Sequence, residues 1–134
     1  MKKKHIYRLI VLLLFILLIT VSINRILANS EANLEALHDM EIENIDLTQI
    51  SDGTYEGRFS VFPVNVDVNV TVSNHQITMI EIIRHRTGRG TPAEIIKDRV
   101  IEAQSLDVDI VSGATYSSKI ILKSIEDALK NNDR

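Results

Sequence analysis

The sequence contains no cysteine and no tryptophan, and only three tyrosines and three phenylalanines among 134 residues. Without cysteine there is no disulfide framework, thiolate zinc site, CxxC redox pair, covalent haem attachment or lipid-modified cysteine anchor. An aromatic content of 4% argues against a surface that grips its ligand by stacking. With 15 basic and 18 acidic residues, the chain also lacks the basic excess of a nucleic-acid binder. The four histidines, His5, His38, His75 and His85, include no i, i+4 pair, and no metal site is expected. G-x-S-x-G is missing, and Tyr116 stands three residues before Lys119, so there is no S-x-x-K. The Gly90 region lacks the lysine of a phosphate-binding P-loop.

What is present is divided unevenly. Lys2, Lys3, Lys4, Arg8 and Arg25 put five positive charges, and no negative one, in the first 25 residues. The remaining ten basic and eighteen acidic residues leave the rest of the chain at -8. Within the basic part, Leu9 to Val21 has Thr20 as its only non-apolar residue. Extended over Ile6 to Ile23, this run would span roughly 27 Å as a helix at about 1.5 Å per residue. That length suits a hydrocarbon core of roughly 30 Å, with Tyr7, Arg8 and Arg25 at the interfaces. A cleaved signal peptide is the rival reading, but Ile26 before Ala28 makes a poor cleavage pattern. The expectation is an uncleaved signal anchor over residues 1–27, its basic tip cytoplasmic and the acidic part extracytosolic.

Residues 28–50 are acidic and free of glycine and proline, with Leu34, Leu37 and Met40 near helical spacing and Ser30 as a cap. They are expected to form a solvated spacer helix, a partner-binding helix being the alternative. The domain proper is placed at 51–134. Thr54 to Phe62 reads as a first strand interrupted by Gly57. Val64, Val66, Val68, Val70 and Val72 alternate with polar residues, as in a half-buried antiparallel strand. Ser73 to Gln76 forms a short hairpin turn, and Ile77 to His85 a third strand. Thr91, Pro92 and Glu94 signal a helix start with a capping box. Ile95, Ile96, Val100 and Ile101 make its buried stripe. Residues 104–111 read as a short strand or an extended loop. A last helix is expected from Ser117 to Asn131, with Ile120, Ile121, Ile125, Ala128 and Leu129 as its apolar face. The fold class is α+β: an antiparallel meander with two helices on one face, preceded by a transmembrane helix.

Two places carry possible chemistry. Arg84, His85, Arg86 and Arg89 make either a solvated basic loop or a cationic wall for an anionic ligand. Asp107 to Ser118 (DVDIVSGATYSS) places Gly113, Ala114 and the hydroxyls of Ser112, Thr115, Ser117 and Ser118 at the start of a helix. Helix N-termini present unpaired N–H groups at a positive dipole end and hold phosphate well. The competing reading is ordinary capping by Ser117 or Ser118.

DIVSGATYSS resembles the flavinylation motif of the FMN-binding domain family, which includes the FMN-carrying subunits of sodium-translocating NADH:quinone reductases and Rnf complexes. DGTYEG at 52–57, ITMIEIIRH at 77–85 and the stretch 93–129 are similar to the family as well, so the resemblance covers about residues 51–129. It implies FMN joined by a phosphoester to Thr115 and transferred from FAD by a separate FAD-dependent flavin transferase. It also implies that Asp109 serves recognition by that transferase and that Ser112, Gly113 and Ala114 shape the turn. Ser117 and Ser118 would lie near the phosphate, and His85 near the flavin. The function implied is a membrane-anchored electron carrier rather than a self-sufficient oxidoreductase. Its partner would be a membrane quinone oxidoreductase or another redox protein. The alternatives are a non-covalent FMN module and a structural or interaction domain without flavin.

Overall fold

The structure is a computed structural model that describes residues 2–86 and 91–131. Two compact units are present, Met1–Glu35 and Ala36–Arg134. The first helix, α1, spans Lys2–His38. Within it, Lys4–Ala28 has a mean hydropathy of 2.7 and is long and apolar enough to cross a membrane. A signal sequence meets the same criteria of length and composition. The helix runs straight through Ser30 rather than starting there.

The C-terminal unit is an α+β fold built on a three-stranded antiparallel sheet in the order β1-β2-β3. Its strands are β1 (Gly53–Val61), β2 (Val64–Ser73) and β3 (Gln76–Arg86). Val66, Val68, Val70 and Val72 are at most 1% exposed, as the alternation requires, and they face the helices. Asp67 is also buried, because Arg58 and Arg84, its partners in register on either side, close over it. Asn74 and His75 both take positive φ, the backbone that a two-residue hairpin turn demands. Asp52 accepts the Asn74 N–H at 2.7 Å and ties that turn to the start of β1.

Two register shifts in the β2–β3 ladder, between Asp67 and Val68 and between Thr71 and Val72, each place an extra residue on β3. The inward side chains of β3 are therefore Ile77, Ile80, Ile82 and His85, while Met79 and Ile83 point to solvent. Simple alternation in this apolar strand does not reveal that pattern.

A 3-10 segment, Thr91–Ile95, leads into α2 (Ile96–Ala103), and α3 spans Thr115–Lys130. The capping box is not how α2 begins. The α-helical ladder starts only at Ile96, and the Glu94 carboxylate is engaged by His85. Ile95 is half exposed, so the stripe of α2 is Ile96 and Val100, flanked by Ile101. Residues 107–110 are extended loop rather than strand. The open edge of β3 is instead occupied by the side chain of Gln104, whose amide accepts from the Ile77 N–H at 2.8 Å and donates to its carbonyl at 2.9 Å.

The compact unit starts at Ala36, so the sequence-derived boundary at 51 falls inside it. Leu37 and Ile50 are 1% exposed, and Ile42, Ile45 and Leu47 pack against the same core. After His38 the chain is irregular up to a 3-10 turn at Leu47–Gln49, and the backbone of residues 37–43 is bound to α3. Lys119 donates to the Leu37 carbonyl, Lys123 to the Glu41 carbonyl, and the Glu43 N–H to Glu126. The solvated-spacer expectation fails for this part because apolar positions 37, 42, 45, 47 and 50 follow no single helical period.

Candidate functional site

The site is built at the start of α3. Val111 to Ala114 makes a four-residue turn closed by the Ala114 N–H donating to the Val111 carbonyl at 3.0 Å. Gly113, its third residue, has φ +78, the left-handed value that a type II turn needs at this position. A side chain there would meet nothing within 4 Å, so one flank of the turn is open space. Ala114 is the N-cap, and Thr115 is the first helical residue, partly exposed. The helical ladder begins with the Ser118 N–H donating to the Ala114 carbonyl at 2.9 Å. The amides ahead of that bond, together with the helix dipole, form a positive end next to the Thr115 hydroxyl.

The helix starts two residues earlier than the sequence suggests, so neither Ser117 nor Ser118 is a cap. Both are buried. The Ser118 hydroxyl, fully enclosed, accepts the Val111 N–H at 3.1 Å and donates to the Ala114 carbonyl at 2.9 Å. It is spent on fastening the turn to the helix. Ser112 is exposed. Asp109 is exposed too, and its main chain rather than its carboxylate is held, by the Arg99 guanidinium of α2.

The basic run on β3 does not form one wall. Arg84 lies on the outer face with Asp67, whereas the His85 side chain turns inward and is only 3% exposed. Its Nδ1 lies 2.9 Å from the Glu94 carboxylate. Its Nε2 is buried and has no hydrogen-bond partner; among the described residues only Asn65 Oδ1 shares that condition. Arg89 lies outside the described residues.

Sequence reasoning therefore located the turn but missed Arg99, Glu94 and the internal role of Ser118. Arg99 has no signal in a single sequence, since an arginine on an amphipathic helix reads as solvated surface. Chemically, the arrangement offers a partly exposed threonine after a hydrogen-bonded turn, at a helix N-terminus suited to a phosphate. Among the described residues no cluster of histidine and carboxylate groups could hold a metal ion.

The sequence is similar to known proteins. An uncharacterized protein of Treponema pallidum (strain Nichols) is 28% identical over 85 residues, 61% of this chain and 24% of that protein. An NADH:acrylate oxidoreductase of Vibrio harveyi is 27% identical over 92 residues, 66% of this chain and 9% of that enzyme. The chain thus spans about a quarter of the first relative and a tenth of the second. The model of the FMN-binding domain matches residues 63–130, just over half of the chain, including the second and third strands, the Val111–Ala114 turn and α3. The cofactor indicated is FMN. On that match, the chain belongs to the FMN-binding domain family.

Proposed function

We propose that this protein is a membrane-anchored, extracytosolic electron carrier whose FMN is joined through a phosphoester to the Thr115 hydroxyl. The observation that carries the reading is the placement of Thr115 as the first residue of α3, directly after an open turn with Gly113 at φ +78. The residues fit the group. Thr115 is partly exposed, nothing crowds the Gly113 flank, and the helix N-terminus favours the phosphate charge.

Attachment balances with FAD as the donor. The Thr115 oxygen bonds to the phosphorus on the FMN side of the pyrophosphate, and the bond between the two phosphates breaks. AMP leaves, and the hydroxyl proton is given up; nothing is oxidised or reduced. A separate FAD-dependent flavin transferase would bring the FAD to Thr115, and Asp109 and Ser112, both exposed and close to the turn in sequence, are available for it to recognise. Ser118 acts through the turn, not on the phosphate. His85 Nε2, a buried polar atom without a partner, is the inward group left to meet a ligand.

Bound FMN supplies the redox chemistry, while the protein supplies binding, orientation and electrostatics. The α1 segment Lys4–Ala28 is the anchor, and five positive charges without an acidic residue in the first 25 residues keep that end cytoplasmic. Electrons would come from a membrane quinone oxidoreductase or a similar redox protein. A covalent link is tested by co-expressing the full chain with a flavin transferase, then denaturing and desalting it. Yellow colour and flavin fluorescence should stay with the polypeptide; their complete removal would leave only non-covalent binding.

A further inference from the structure

Arg99 lies in the middle of α2, partly buried, and with Glu102, Asp107, Asp109 and Ser112 it lines a groove beside the Val111–Ala114 turn. Three carboxylates border that groove, yet among the described residues Arg99 makes no ion pair with any of them. Its Nη1 donates to the main-chain carbonyl of Asp109, with the Ile110 carbonyl at 3.5 Å. Residues 109 and 110 have no ladder partner for their carbonyls, and the Arg99 guanidinium takes that place beside the turn.

The turn is thereby gripped at both ends. Arg99 holds the main chain just ahead of it, and Ser118 ties its first residue, Val111, to its last, Ala114. Only two residues separate the Ile110 carbonyl from Gly113, whose positive φ sets the direction in which Thr115 begins the helix.

We propose that Arg99 is a positioning residue for flavin attachment: by fixing the Asp109–Ile110 main chain, it holds the Thr115 hydroxyl where the transferase can use it. This rests on the Thr115 reading above. Transfer requires the hydroxyl oxygen in line with a phosphorus atom held by another protein, and a displacement of about 1 Å can slow such a step by about a hundredfold. Arg99 never touches the flavin in this role. Removing it loosens the acceptor while leaving FAD binding by the transferase unchanged.

The test uses the full chain in detergent, a flavin transferase and FAD, with intact mass followed over time. Wild type should load. Arg99→Met should load at least about tenfold more slowly, with kcat reduced and the KM for FAD unchanged. Arg99→Lys, which keeps a donor on a shorter stem, should fall between the two. Thermal melting of the unloaded chains separates a loosened turn from a lost fold. If Arg99→Met fails to fold, Arg99→Lys decides alone: slower loading at an unchanged Tm supports the role, and wild-type loading overturns it. Wild-type kinetics in a folded Arg99→Met chain would likewise overturn it, while leaving attachment at Thr115 intact. A wild-type chain that never loads would instead remove the Thr115 reading itself.

Discussion

Gly57 of β1 lies directly against the backbone of α3 at Ala128. A Cβ at position 57 would stand 2.5 Å from the Ala128 nitrogen and 2.6 Å from the Ala128 Cβ, and would overlap the Ser124 carbonyl oxygen. The residue that seemed to interrupt a strand is where the helix and the sheet touch. Around it, the Ser124 hydroxyl donates to the Val66 carbonyl, and Asp127 accepts the Arg58 N–H at 2.9 Å on the open edge of β1.

Gly57→Ala should therefore destabilise the folded unit by about 3 kcal/mol, because a backbone atom of a helix cannot move aside as a side-chain tip can. Chemical denaturation of the full chain in detergent checks this. Gly113→Ala makes a useful contrast. It meets no atom within 4 Å, and its cost, about 1 kcal/mol, comes from the left-handed backbone alone. Equal effects of the two substitutions would contradict the close-approach account.

Glu126 gathers the charges that fasten the segment after α1. Burial alone would raise its pKa, but Lys123, Lys130 and the Glu43 N–H outweigh that and hold the carboxyl below its ordinary value of 4.5. A carboxyl whose pKa is depressed by folding contributes stability above its ordinary pKa, and this is lost as pH falls through the folded value. Melting temperatures should therefore fall on acidification below about pH 4.5. In Glu126→Gln the neutral-pH stability should drop and that acid dependence should flatten. A Glu126→Gln chain with the wild-type acid profile would exclude this carboxylate as the source.

Truncation tests the domain boundary. A chain beginning at Ala36 keeps Leu37 and Ile50 in the core and retains the carbonyls that accept from Lys119 and Lys123. One beginning at Ser51 loses all of them. Each large buried aliphatic side chain removed typically costs about 2–5 kcal/mol, so the shorter chain should be severely destabilised or unfolded. Circular dichroism melts of the two fragments read this directly, and equal stability would return residues 36–50 to the role of a spacer.

The parts of this fold written in local pattern were legible. The valines of β2, the Asn74-His75 turn and the apolar face of α3 follow from period-two and period-3.6 spacing. The motif turn was legible because glycine, alanine and hydroxyl residues cluster there. Long-range partners were not. Nothing near Gly57 signals that α3 passes over it, and nothing in residues 37–43 signals that their backbone binds Lys119, Lys123 and Glu126. Two extra residues on β3 disguised which side chains face inward, so His85 looked like part of a surface run. Ser118 was misassigned because two residues of error at a helix start turn a buried staple into a cap.

The central claim is a flavin phosphoester on one named threonine. Intact mass spectrometry of the full chain, co-expressed with an FAD-dependent flavin transferase, tests it most directly. Wild type should be heavier than its sequence by one FMN minus one water, and Thr115→Ala should have its unmodified mass. An unmodified wild type under those conditions, or a Thr115→Ala chain that still gains the same mass, would contradict it.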